Sequence, residues 1–153
     1  MLIPPLVQAA TQESAGSSCP LQDGQQARLR GRVAVVDDEG IVAEFMAERL
    51  SQWGLDVGLW CDAEQASEQL LNDPYAWDLV ILDQCMPRLT GLQLARRLLA
   101  ARADLPIALY TGFSEQLDEA EVLAQGIRTL MRKPLDQARL HAWLRTVLPS
   151  DSD

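Results

Sequence analysis

The chain has 153 residues, 48% of them hydrophobic, enough for one proper core and too little for a second. Its 13 basic and 22 acidic residues give a formal charge of -9. A surface of that sign repels nucleic-acid phosphates and anionic membranes, and no local basic patch offsets it, so neither partner is expected.

No apolar stretch approaches the ~20 residues of a membrane span. The start carries Pro4 and Pro5 and lacks the basic segment of a signal peptide. Three widely spaced cysteines, Cys19, Cys61 and Cys85, suit reduced thiols better than a disulfide framework or a zinc site. The expected compartment is the cytoplasm.

In chain order, residues 1–30 read as a flexible tail or interdomain linker, because 8–26 are rich in Gln, Ser, Ala and Gly and cannot bury enough surface to offset their ordering entropy. Residues 31–148 form the foldable domain, and 149–153 a short C-terminal tail. From Arg32 onward, apolar runs of strand length alternate with stretches of helical period, the pattern of βαβ units. The first helix, about 40–53, sets Val42, Phe45, Met46, Leu50 and Trp53 on one face and stops at Gly54. After a strand over about 56–60, Asp62 and Gln65 read as a capping box for the second helix, which ends before Asp73 and Pro74. A third helix buries Leu94, Ala95, Leu98 and Leu99. Asp118 and Glu121 open a short fourth helix closed by Gly126. The last, about 135–148, turns Leu140, Trp143, Leu144, Val147 and Leu148 inward, with His141 an ordinary surface or boundary residue. The four tryptophans, Trp53, Trp60, Trp77 and Trp143, read as core or boundary packing.

Four of the strand-like runs end in chemistry-bearing residues. Val33, Ala34, Val35 and Val36 run into Asp37 and Asp38; Leu79, Val80, Ile81 and Leu82 into Asp83; Ile107, Ala108, Leu109 and Tyr110 into Thr111; Leu130, Met131 and Arg132 into Lys133 and Pro134. In a parallel sheet those carboxyl ends lie side by side, where open α/β sheets place their ligands. Taken singly, each is bland: an Asp pair after a strand is most simply a helix cap, and Thr111 with Gly112 a simple turn.

In this order, with Met86, Pro87 and Gly91 following Asp83, the set resembles the receiver domain of two-component response regulators, over about 31–148. The resemblance implies a flavodoxin-like (βα)5 fold, a doubly wound parallel sheet of strand order 2-1-3-4-5. It implies that Asp83 accepts a phosphoryl group from the phosphohistidine of a histidine kinase or histidine phosphotransfer domain. It further implies Mg2+ held directly by Asp38, Asp83 and the backbone carbonyl of Cys85, with Asp37 acting through water. Lys133 would pair with the phosphoryl oxygens and Thr111 would sense them. Such a domain is not a stand-alone enzyme; it catalyses its own phosphorylation.

Two positions depart from the family pattern. Receivers often place Tyr or Phe three residues before the lysine, where the ring follows the threonine as a switch; here it is Leu130. The positions two after the phosphoacceptor and two after the threonine are Cys85 and Phe113, and a bulky Phe113 would shield an acyl phosphate from water.

Leu2, Ile3, Pro4 and Pro5 look like the closing strand of a kinase ATP-binding domain, and residues 111–116 carry wording frequent in hybrid kinases. The expected context is therefore the C-terminal receiver of a hybrid sensor histidine kinase, with any membrane anchor belonging to that parent. The alternative context is a free-standing regulator. A phosphorylation-independent receiver-like docking module is the alternative function, kept open by Leu130. A flavodoxin-type electron carrier is disfavoured because Asp37, Asp38 and Glu39 would repel a flavin phosphate. A dehalogenase-type phosphatase would want its aspartates one residue apart.

Overall fold

The computed structural model describes residues 28–112, 117–134 and 136–148. Residues 1–27 of the expected tail over 1–30, with Cys19 and the strand reading of residues 2–5, lie outside the described residues, as do Phe113, the stretch 113–116, and 149–153.

The elements alternate as β1 (Arg32–Val36), α1 (Gly40–Gln52), β2 (Asp56–Trp60), α2 (Ala63–Asn72), a 3-10 turn (Pro74–Ala76), β3 (Leu79–Asp83), α3 (Gly91–Ala101), β4 (Ile107–Thr111), α4 (Glu119–Ala124), β5 (Thr129–Arg132) and α5 (Gln137–Val147). The five strands pair in parallel in the order β2-β1-β3-β4-β5, the expected doubly wound arrangement. Every residue of β3 and β4 is buried, which is why these strands read as unbroken apolar runs and not as an alternation.

Each strand still alternates faces. Val36, Val80, Leu82, Leu109 and Leu130 join Leu70 of α2 and Leu94 and Leu98 of α3 in one layer of the core. Val33, Val35, Ile81, Tyr110 and Met131 join Met46 and Leu50 of α1 and Leu140 and Leu144 of α5 in the other. Helix ends follow from local chemistry. Asp62, Asp118 and Asp136 each accept backbone N–H bonds at the start of α2, α4 and α5, and Thr90 with Gln93 forms a complete capping box on α3. Gly54 and Gly126 follow α1 and α4 at φ +102° and +104°, a conformation glycine adopts without penalty.

Several expectations are corrected. Leu29, two residues before the expected boundary, packs with the domain: its side chain is fully buried and its N–H donates to the Trp53 carbonyl at 2.7 Å. Val42 and Phe45 are exposed, because the stripe of α1 that meets the sheet runs through Ala43, Met46 and Leu50. With Ile41 they instead line an open apolar groove toward Pro134 and Leu140. Leu99 is only partly buried. His141 is buried, its ring edge-on to Trp53 with centroids 4.7 Å apart, since it shares the inward side of α5 with Leu140 and Leu144. Trp60 and Trp77 make a similar edge contact at 5.4 Å.

Gly91, at the start of α3, sits against the strand that carries Asp83. A Cβ there would collide with the Asp83 carbonyl oxygen and lie 2.7 Å from Leu109 Cδ1. The carbonyl belongs to the backbone of the sheet and cannot swing away, so a shift of the Leu109 methyl alone would not relieve the clash. Gly91→Ala is expected to cost about 1–3 kcal/mol, the range for overpacking a filled site, read as a lower melting temperature by circular dichroism. A variant that melts like the wild type would show that the helix is free to shift.

Candidate functional site

The parallel ladder sets the carboxyl ends of the strands in one row, and backbone bonds extend it past them. The Asp37 N–H donates to the Trp60 carbonyl at 3.1 Å, Gln84 N–H to the Tyr110 carbonyl at 2.9 Å, and Lys133 N–H to the Thr111 carbonyl at 2.8 Å. The chain just beyond β1, β3 and β5 is therefore tied into the same ladder.

Within that row, Asp37 is fully buried and Asp83 is 1% exposed. Asp37 Oδ1 accepts the Glu39 N–H at 2.9 Å, and its Oδ2 accepts a short hydrogen bond from the Tyr110 hydroxyl. Asp83 Oδ1 accepts the Cys85 N–H at 3.3 Å and pairs with Lys133 Nζ at 3.2 Å. The same ammonium reaches Glu39 Oε1 at 3.3 Å and stands 5.0 Å from the centre of the Tyr110 ring. The peptide from Lys133 to Pro134 is cis. Thr111 is fully buried, and among the described residues its Oγ1 has no hydrogen-bond partner.

These positions set the charge states. Burial, and then repulsion from Asp37, push the Asp83 carboxyl up to about 7, with Lys133 pulling the other way. Burial alone would lower the Lys133 ammonium, but Asp83 and then Asp37 hold it above its usual range. Burial and the neighbouring Asp37 also push the Tyr110 phenol up, so it stays a donor.

The structure thus brings Asp37, Asp83 and Lys133 together, with the buried Thr111 at the end of the neighbouring strand β4. Asp38 is exposed, and the carboxylates whose oxygens lie within 4.8 Å of one another are those of Asp37, Glu39 and Asp83. Cys85 is exposed on the loop after β3, and Leu130 is buried in the core layer shared with Leu109. Sequence reasoning missed Glu39 and Tyr110 as site residues. The signal for Glu39 was the third acid in the run from Asp37. For Tyr110 it was a polar tip in a strand buried on both faces, where a hydroxyl must find a partner.

A cluster of carboxylate oxygens is the donor set a hard cation such as Mg2+ takes. A buried hydroxyl with an unmet hydrogen bond, on the strand next to the one that carries Asp83, suits an anionic oxygen, as does the Lys133 ammonium. The residues therefore fit both a divalent ion and a phosphoryl group.

The raised Asp83 carboxyl has a definite pH signature. Between about pH 4 and 7 the folded state holds a proton that the unfolded state has released, so this group's contribution to stability falls as pH rises through that window. Its slope cannot exceed about 1.4 kcal/mol per pH unit. Without divalent metal, Asp83→Asn should melt higher than wild type at pH 8, and the gap should shrink at pH 5. A gap independent of pH would mean that Asp83 titrates normally.

Comparison with known proteins converges on one family. Residues 33–145 match the family model described as the response regulator receiver domain. The chain is 36% identical over 124 residues to response regulator MprA of Mycolicibacterium vanbaalenii, covering 78% of this chain and 53% of that protein. It is 27% identical to a probable transcriptional regulator, ycf27, of Cyanidium caldarium, covering 82% and 49%. The chain spans about half the length of these curated relatives. Among solved structures, a response regulator receiver domain protein from Clostridium thermocellum superposes with a TM-score of 0.72 at 20% identity, over 76% of this chain and 92% of that one. The receiver domain of NtrX from Brucella abortus gives 0.67 at 26% identity, over 75% and 96%. A CheX-CheY-BeF3-Mg complex from Borrelia burgdorferi gives 0.70 at 21% identity, over 76% and 87%. With five parallel strands in the order β2-β1-β3-β4-β5 and this sequence match, the chain belongs to the receiver domain family of response regulators, the phosphoacceptor module of two-component signalling.

Proposed function

We propose that Asp83 is the phosphoacceptor of this receiver, taking its phosphoryl group from the phosphohistidine of a histidine kinase or phosphotransfer protein. The observation that carries this reading is Asp83 itself: buried at the end of β3, paired with Lys133 at 3.2 Å, and facing the repulsion of Asp37. In the transfer, the bond between phosphorus and the imidazole nitrogen breaks. An Asp83 oxygen forms the new bond to phosphorus, giving an acyl phosphate. Lys133 Nζ holds the transferring oxygens from one side. Thr111 supplies a hydroxyl whose hydrogen bond is otherwise unmet.

Receivers of this family typically bind Mg2+ at an acidic pocket, and this chain has such a cluster. Asp37, Asp83 and the carbonyl oxygen of Cys85 would hold the ion here, joined by Asp38 or Glu39. The resemblance favours Asp38, while the placement of the carboxylates favours Glu39. When bound, the ion offsets the negative charge that gathers on the phosphoryl oxygens. Glu39 also pairs with Lys133, so its removal frees that ammonium for the phosphoryl group.

Leu130 supports a muted form of the family switch, because a buried leucine offers no ring to follow Thr111 inward. The reading extends to a signalling change borne mainly by the segment after Thr111. The place of this receiver at the C-terminal end of a hybrid kinase rests on the sequence resemblance alone; the full-length parent sequence tests it.

Intact-mass measurement after treatment with acetyl phosphate and MgCl2 tests the assignment. The wild type should gain one phosphoryl group, and Asp83→Asn none. Lys133→Ala should label about a hundredfold more slowly, the usual loss of one fixed charge at a developing oxyanion. Asp38→Ala and Glu39→Ala, compared at low MgCl2, decide between the two candidate ligands: the variant that needs more metal marks the true one. Labelling of Asp83→Asn at the wild-type level would overturn the proposal.

A further inference from the structure

Tyr110 lies on β4, yet its hydroxyl meets Asp37 just past the end of β1. In the sheet, β3 stands between those strands, so the Tyr110 and Asp37 side chains together bridge two inter-strand steps, about 10 Å between backbones. It does so on the face shared with α1 and α5, directly under the catalytic row. No aliphatic side chain at this position would bring a donor to Asp37.

The two oxygens of Asp37 are thereby both engaged. Glu39 N–H holds Oδ1, and Tyr110 OH holds Oδ2. Together the two bonds fix the plane of the carboxylate, while spare lone pairs stay available. The face of the same ring lies 5.0 Å from Lys133 Nζ, within the range of a cation–π contact. One side chain therefore touches both the buried acid next to the phosphoacceptor and the ammonium that pairs with it.

We infer that Tyr110 is a positioning residue of the phosphoryl-transfer site: its hydroxyl orients Asp37 toward the divalent ion, and its ring seats Lys133. This rests on the reading of the site given above and adds a residue to it. The two functions are separable by chemistry. Tyr110→Phe keeps the ring under Lys133 and loses only the bond to Asp37. Tyr110→Leu loses both.

The test uses the full chain and two readouts: the dependence of melting temperature on MgCl2, and the rate of phosphorylation by acetyl phosphate across the same MgCl2 series. In Tyr110→Phe the half-saturating MgCl2 should rise about tenfold, the usual cost of losing a group that orients a metal ligand. Much of the lost rate should return at saturating metal. Tyr110→Leu should show the same rise and also stay slow at saturation.

Met131→Leu serves as the packing control, since Met131 pairs with Tyr110 across the strands in the same core layer without touching the acids through a donor. It should leave the half-saturating concentration unchanged. Equal shifts in Met131→Leu and Tyr110→Phe would overturn the inference by reducing Tyr110 to core packing. A Tyr110→Phe curve that superposes on a saturable wild-type curve would overturn it as well. A wild type indifferent to MgCl2 in both readouts would overturn the metal reading of the site and this role with it.

Discussion

Burying Asp37 and Asp83 side by side at one end of the sheet is the constraint around which the site is organised. Ionised carboxylates taken out of water cost several kcal/mol each unless they are paired and hydrogen-bonded. Asp37 meets that demand with two donors, Glu39 N–H and Tyr110 OH. Asp83 has one backbone donor and Lys133, and its carboxyl is still pushed up to about 7. The imbalance is the chemically useful part. A carboxylate that lacks enough positive charge around it attracts a divalent cation, and in its ionised form it is the more reactive nucleophile.

The fold delivers this arrangement through strand order. Because β1 and β3 are neighbours in a parallel sheet, the acids that follow or end them are brought together without any contact between them in sequence. β4 and β5 come next in the row and bring Thr111 and Lys133 to the same rim. Each lies at a position fixed by backbone hydrogen bonds, so the site needs little reorganisation. Gly91 lets α3 start close against β3, and the complete capping box of Thr90 and Gln93 holds that start in place.

Much of this was legible in the sequence because the relevant signals are local. Unbroken apolar runs ending in Asp37, Asp83, Thr111 and Lys133 gave the strands, and their parallel order followed from the alternation with helices. What escaped depends on where neighbouring elements lie. A helical period identifies an apolar stripe but cannot say which edge of it meets the sheet, which is why it points Val42 and Phe45 inward and leaves His141 at the surface, the reverse of their observed burial. Glu39 enters the acidic cluster in place of Asp38 because of the turn into α1, which the composition of the run does not encode. Tyr110 acts on Asp37 across an intervening strand, a contact separated by 73 residues that no periodicity carries. Leu29 was assigned to the tail because its neighbours are polar, although one buried leucine and one backbone bond suffice to bring it into the domain.

On the proposed function, Asp83 is a carboxylate under electrostatic stress that a divalent cation relieves. Carbon-detected NMR of the aspartate side-chain carboxyls reads this directly, with Asp83 assigned by comparison with Asp83→Asn. Without divalent metal, the Asp83 resonance should titrate with a midpoint near 7, and with saturating MgCl2 the midpoint should fall well below that. A midpoint of about 4, the ordinary value for an exposed aspartate, unchanged by MgCl2, would contradict the account.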